Sequence, residues 1–277
     1  VSRPATRKTV ARSKQRSSND FPKNDFPKEV RLIPISFTDE IKLEDALVEK
    51  LLQTMRQHAL AFEPGDILIV KHKIVSKSEG RIVDLETIKP SADSVAWAKK
   101  YNLDARVVEL SLRESVAVIR RKNGVLITET KHGFICANSG VDVSNVDGGR
   151  HALLLPVNPD RSAREIHRGL KKLTRLTIPV LITDTFGRPW REGLVDFCIG
   201  IAGMKPLRDD RGLPDPHGYT LRASLEAVAD ELACAAALVC GKLNRTPACI
   251  IRGFPYQPAR RSRTRELLRP AASDLFR

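Results

Sequence analysis

From residue 31 onward the chain alternates short apolar runs with amphipathic stretches. Residues 39 to 57, which include "DEIKLEDALVEKLLQTM", repeat apolar positions at helical spacing, and "GDILIVKHKIV" then reads as a buried strand leaving a turn. Helices are expected at about 92 to 103 and 104 to 114. Short strands are expected at "VAVIRR", "GVLITET", "GFICAN", "ALLLPV" and "VLITDT", with a helix at 161 to 175 before the last of these. "TLRASLEAVADELACAAALVCGK" reads as one long helix whose alanines permit close backbone approach, and "ACIIRG" as a closing strand. Several strands follow one another without intervening helices, so the pattern predicts an α+β fold rather than a regular βαβ wind.

At 277 residues and 42% hydrophobic, the chain is long enough for a substantial core. No apolar run approaches the roughly 20 residues that span a bilayer, and the Arg- and Ser-rich start lacks the apolar core of a secretory signal, so a cytoplasmic protein is expected. Five scattered cysteines without a CxxC pairing suggest neither a disulfide framework nor a zinc site. They read as reduced packing residues.

The net charge of +14 would suit a nucleic-acid binder if it lay on the body of the chain. Residues 1 to 31 carry +6 and residues 255 to 277 carry +4, which leaves +4 for everything between. Only 5% of residues are aromatic, so stacking platforms for bases are few. No specific nucleic-acid partner is expected. The first 30 residues are polar, lack hydrophobic periodicity and repeat "NDFPK" at 19 to 23 and 24 to 28, the composition of a disordered basic extension.

No GxxxxGK[ST] loop and no strand followed by GxGxxG is present. What remains are polar clusters just past apolar runs. "IVSKSEGR" at 74 to 81 sets Ser76, Lys77, Ser78, Glu79 and Arg81 after a strand; "ANSGVDVSN" at 137 to 145 sets Asn138, Asp142, Ser144 and Asn145 around Gly140; "ITDT" ends on Asp184 and Thr185. Any one of these is ordinary turn punctuation, because Asp, Ser and Asn cap backbone groups. Three together, rich in oxygen and with a lysine at hand, suit a hard divalent cation and a phosphate chain. A metal-dependent phosphohydrolase, or another nucleotide-binding protein acting on a phosphorylated substrate, would use the same loops.

"VSKSEGR", "ANSGVDVSN", "LITDTFGRPWREG", "GIAGMKPLRDDRG", "VADELACAAALVCGK" and the terminal "LLRPAASDLFR" resemble, in that order, the coenzyme F420-0:L-glutamate ligase family. The resemblance covers roughly residues 31 to 277, taken as one ligase domain behind the tail of residues 1 to 30. Many bacterial members continue past "DLFR" into a flavin-binding reductase domain, so this chain resembles the stand-alone ligase module. The resemblance implies a mixed-sheet α+β ligase fold, a homodimer, two Mg²⁺ or Mn²⁺ ions, and GTP as co-substrate. The implied reaction joins L-glutamate to the carboxylate of coenzyme F420-0 through an acyl phosphate, and in many members further γ-linked glutamates follow.

Carried over by motif, Asp142 and Asp184 match metal-ligand aspartates and Thr185 a ligand of the second metal. Lys77 matches a nucleotide-binding lysine and Asn145 a nucleotide contact. Asp142, Asp184 and Lys77 are the residues the resemblance assigns to catalysis. His72 and Lys73 stand where archaeal-type motifs have small hydroxyl residues in the nucleotide site. "LIPIS", with Ile33, Pro34 and Ile35, matches an N-terminal nucleotide-binding stretch. "CGKLNRTP", with Gly241, Lys242, Leu243 and Asn244, matches a loop that wraps the nucleotide and that in archaeal-type members supplies an acidic second-metal ligand. Here that position is Lys242, so either the second metal is held differently or the ammonium neutralises phosphate charge; the "GK" shared with bacterial-type members favours the latter. Arg188 and Arg191 are candidates for holding phosphodiester or carboxylate groups. Trp190 is read either as a stacking platform or as core, and His217 as a loop histidine.

Overall fold

The computed structural model describes residues 29–144 and 146–275. The expected tail therefore lies outside the described residues, apart from Glu29 and Val30, and so does Asn145.

Strand β1 (Arg31–Ile35) is followed by helix α1 (Leu47–Gln57), strand β2 (Ile67–Lys71), helix α2 (His72–Ser78) and strand β3 (Ile82–Asp84). Next come α3 (Ala92–Tyr101), α4 (Ala105–Arg113), β4 (Ser115–Lys122), β5 (Val125–Thr130), β6 (Ile135–Ala137) and β7 (His151–Leu153). The last group is α5 (Pro159–Thr174), β8 (Val180–Arg188), β9 (Arg191–Ala202), the two-residue pair β10 (Arg208–Asp209) and β11 (Leu225–Glu226), α6 (Val228–Cys240) and β12 (Ala248–Arg252). The mixed α+β class expected from the pattern is what forms.

The central sheet has the order β1-β12-β2-β8-β9. Only β2 and β8 run parallel; the other neighbours are antiparallel. The three inner strands are unbroken apolar runs because both their faces are covered. Ile67, Ile69, Leu181, Cys249 and Ile251 face α6, where Ala229, Ala233 and Ala236 let that helix sit close. Leu68, Val70, Val180, Ile182 and Ile250 face α1, α2 and α5. Pro34 is tolerated because β1 is an edge strand. The start of α5 packs directly on β9: a Cβ on Gly200 would lie 2.5 Å from the Pro159 carbonyl oxygen. Asp160 fastens the same corner, accepting hydrogen bonds from the Ile201 and Thr264 amides. The long crossover from β2 to β8 carries the three-stranded β4-β5-β6 sheet, the β3/β7 pair and α2 to α5.

The differences from the sequence pattern have local causes. The strand expected over 65 to 75 stops at Lys71, and His72–Ser78 is helical, turning Ile74 and Val75 into the core. "IVSKSEGR" is thus mostly helix and its exit rather than a strand-end loop. The helix expected from 39 starts at Leu47; Ile41 joins the same core as Leu51 and Met55 from a loop, which imitates helical spacing. The long helix over 220 to 242 is confined to Val228–Cys240, because Leu225–Glu226 pairs antiparallel with Arg208–Asp209. Strand β9 was not expected at all.

Candidate active site

The parallel pair decides where the chemistry gathers. β2 ends at Lys71 opposite Thr183, while β8 runs on through Asp184 and Thr185, with Thr185 opposite Asp196 of β9. In open sheets the carboxyl ends of parallel neighbours are where ligands bind. A cleft of about 470 Å³ opens at this point. Its walls are the β2–α2 junction, residues 183 to 185, the turn that follows Asp142, and two loops at 37 to 41 and 241 to 247. Those two loops are tied together: the Phe37 amide donates to the Arg245 carbonyl at 2.9 Å, and the Ser36 and Thr246 hydroxyls pair at 2.8 Å.

Four carboxylates at or just behind the cleft, Asp142, Glu40, Asp196 and Asp184, lie against cationic or basic side chains. The Lys73 ammonium contacts Asp142 Oδ2 at 2.7 Å and the Ser144 hydroxyl at 2.9 Å. The Lys77 ammonium contacts Glu40 Oε2 at 2.9 Å. Lys71 pairs with Asp196. His72 Nε2 lies 3.2 Å from Asp184 Oδ1 and is buried without a hydrogen bond. Burial pushes the Asp142 carboxyl up, but hydrogen bonds from Lys73 and Ser144, with the Lys73 charge, outweigh it and hold the group below its ordinary value. Asp142 is also fixed by its backbone, which exchanges two hydrogen bonds with Leu153.

The turn before Asp142 is built for that placement. Asn138, Ser139 and Gly140 all have positive φ. Ser139 is held there at 2.7 to 2.9 Å: its amide donates to Thr128 Oγ1, its hydroxyl donates to the Ser111 carbonyl, and its hydroxyl oxygen accepts the Thr128 hydroxyl. A side chain at Gly140 would press on Leu155 at 2.9 Å.

Of the residues singled out from sequence, Asp142, Asp184, Thr185, His72, Lys73, Lys77, Gly241, Lys242 and Leu243 line this one cleft. Ile33, Pro34 and Ile35 do not: they are strand residues of β1, and the cleft is bordered by the residues just after them. Asn244 also stays off the wall, and Asn145 lies outside the described residues. Trp190 is neither core nor in the cleft; it is 81% exposed at the β8–β9 turn with φ of 57°. His217 is in the loop between β10 and β11, as expected. All five cysteines are free, and Cys136 is buried, its thiol pushed up to about 12 by burial and then by the Asp184 charge.

Sequence reasoning missed Lys71, Asp196 and Glu40. Asp196 had a usable signal, being a lone acid inside "GLVDFCIGIAG". A charge surrounded by apolar residues is retained only where it is paired.

Among the described residues no group of three or more His, Cys, Asp and Glu side chains is arranged to hold a metal. Among the oxygen donors that line the cleft are the carboxylates of Asp142 and Asp184 and the hydroxyl of Thr185. That set fits a hard cation, which commonly takes one or two carboxylates and completes its shell with phosphate and water.

Comparison with known proteins gives a consistent result. A family model described as F420-0:Gamma-glutamyl ligase matches residues 37–253. The coenzyme F420:L-glutamate ligase of Methanothermobacter thermautotrophicus is 46% identical over 215 residues, 77% of this chain and 85% of that protein. The enzyme of the same name from Methanopyrus kandleri is 38% identical over 252 residues, 90% of this chain and 98% of its own length. That of Methanocaldococcus jannaschii is 41% identical over 216 residues, or 78% and 86%.

Proposed function

The chain belongs to the F420-0:γ-glutamyl ligase family, and from that premise we propose that it forms the amide bond between the carboxylate of coenzyme F420-0 and L-glutamate, driven by GTP. A carboxylate does not condense with an amine in water because oxide is too poor a leaving group. The γ-phosphoryl group of GTP therefore passes to a carboxylate oxygen of F420-0, breaking its bond to GDP. The glutamate amine then attacks the acyl carbon, phosphate leaves, and the amine gives up a proton.

The observation that carries this reading is the meeting of Asp142, Asp184 and Thr185 with Lys71, Lys73, Lys77 and Lys242 around one cleft. Phosphoryl transfer asks the protein mainly for positioning and charge stabilisation, and lysines around acids supply both. Glu40, which holds Lys77, is 60% exposed, so phosphate oxygens can take its place at small cost. Asp142 and Asp184 would hold one Mg²⁺ or Mn²⁺ ion and Thr185 would contribute to a second, and when bound these ions would neutralise phosphate charge. Lys242 lines the cleft at the position where archaeal-type members supply an acidic ligand to the second metal, and we assign its ammonium to the phosphates.

The test is whether multiple-turnover GDP release from GTP requires both F420-0 and L-glutamate. Dependence on both supports the ligase; release with neither present would make the site a phosphohydrolase. A homodimer is part of the same proposal, and sedimentation at the mass of a single chain would oppose it.

A further inference from the structure

Asp196 does not line the cleft, yet it touches three residues that do. Its side chain is only 2% exposed, on β9 behind the end of β8. Oδ1 accepts the Thr185 hydroxyl at 2.8 Å, and Oδ2 accepts the Thr183 hydroxyl at 3.2 Å and pairs with the Lys71 ammonium. The placement follows from register: Thr183 and Thr185 are two apart on one strand and present their hydroxyls to the same side, where Asp196 stands opposite Thr185.

A hydroxyl has one proton and two lone pairs, and an ammonium has three protons and none. With its proton committed to Asp196, Thr185 shows the cleft lone pairs only. With one proton on Asp196, Lys71 keeps its charge and two donors, fixed at the cleft margin. Without the carboxylate the Thr185 hydroxyl would rotate, and the neighbouring Asp184 or a phosphate oxygen would capture its proton.

We infer that Asp196 is a positioning residue, which turns the Thr185 hydroxyl into an acceptor toward the cleft and holds the Lys71 ammonium toward the phosphates. It is not the base for the glutamate amine, since its burial and its three donors leave it no access to substrate. The inference rests on the reading of Asp184 and Thr185 as a cation site. Its distinctive content is that Asp196 acts through Thr185.

The experiment measures Mn²⁺ affinity of the purified full chain in the presence of GDP, by electron paramagnetic resonance, alongside the melting temperature. Asp196→Asn keeps the shape but brings an amide N–H₂ against residues that are themselves donors. It is expected to weaken Mn²⁺ binding roughly 10–100-fold, the usual loss when a partner that orients a metal ligand is removed. Thr185→Val should weaken it comparably, Thr185→Ser should retain it, and the Asp196→Asn/Thr185→Val pair should be no weaker than Thr185→Val alone.

Should Asp196→Asn not fold, Asp196→Asn with Lys71→Met removes both charges of the pair together, and its Mn²⁺ affinity is read against Lys71→Met alone so that the lost phosphate contact cancels. An unchanged Mn²⁺ affinity with a lowered melting temperature would reduce Asp196 to a structural ion-pair partner. Additive losses in the double variant would show that it does not act through Thr185. Failure of the unsubstituted chain to bind Mn²⁺ with GDP would overturn the cation-site reading itself, and this inference with it.

Discussion

At the scale of single residues the cleft separates groups whose removal should cost activity alone from groups whose removal should also cost stability. Lys242 is exposed and pairs with no side chain among the described residues, so Lys242→Ala should leave the melting temperature unchanged. Losing a charge-assisted phosphate contact of about 1.5 to 3 kcal/mol should raise the KM for GTP, or lower the turnover, roughly tenfold or more; wild-type kinetics would make it a solvated surface lysine. Asp142→Asn and Asp184→Asn keep shape and remove charge, and both are expected to fold and to lose ligase activity by about 100-fold or more, on the scale of deleting one preorganised electrostatic group. Normal turnover at limiting Mg²⁺ would show these acids to be structural. Asp142, Asp184, Thr185 and Lys77 were legible in the sequence as polar residues clustered just past apolar runs, although Asp184 and Thr185 prove to lie within β8 and Lys77 within α2. Lys71 and Glu40 were not, since one ends a strand and the other begins what reads as a helix.

At the scale of elements, two fastenings hold the walls of the site and the sheet behind them. The turn before Asp142 depends on Ser139, whose buried hydroxyl serves both Thr128 and Ser111. Ser139→Ala should destabilise the protein by about 1–3 kcal/mol, the cost of leaving buried polar partners unmet, and calorimetry would read it directly. At the opposite end of the central strands, Asp66 is fully buried and accepts two hydrogen bonds from Arg252 at 2.9 Å, clamping β12 to the turn before β2. Arg252→Ala would strand that carboxylate and should cost about 3–5 kcal/mol in urea unfolding; a loss below 1 kcal/mol would mean that water replaces the guanidinium. Neither fastening shows as periodicity. Asp66 and Arg252 are 186 residues apart, and only strand pairing makes them neighbours.

At the scale of the whole molecule, Glu109 makes stability depend on acid. It accepts the Ser91 amide and the Ser94 hydroxyl at the start of α3, and the Arg113 guanidinium on its other oxygen; hydrogen bonding, led by the Ser91 amide, lowers its pKa from 4.5 to about 2. A carboxylate whose folded pKa is depressed contributes stability that is complete above its unfolded pKa and is lost as pH falls through the folded one. The difference in melting temperature between the wild type and Glu109→Gln should therefore be constant above about pH 5 and shrink between pH 4.5 and 2; a difference independent of pH would remove Glu109 from the acid response. The amino-acid sequence by itself determined the α+β class, most strands, the helices from 92 to 114 and near 161 to 175, and the family motifs, because hydrophobic period and turn chemistry are local properties. Tertiary structure alone decided that β2 and β8 lie side by side across more than a hundred intervening residues. It also decided that β9 sets Asp196 behind Thr185 and that Lys71 closes on it. Those choices depend on which apolar faces bury one another, and no window along the chain contains both partners.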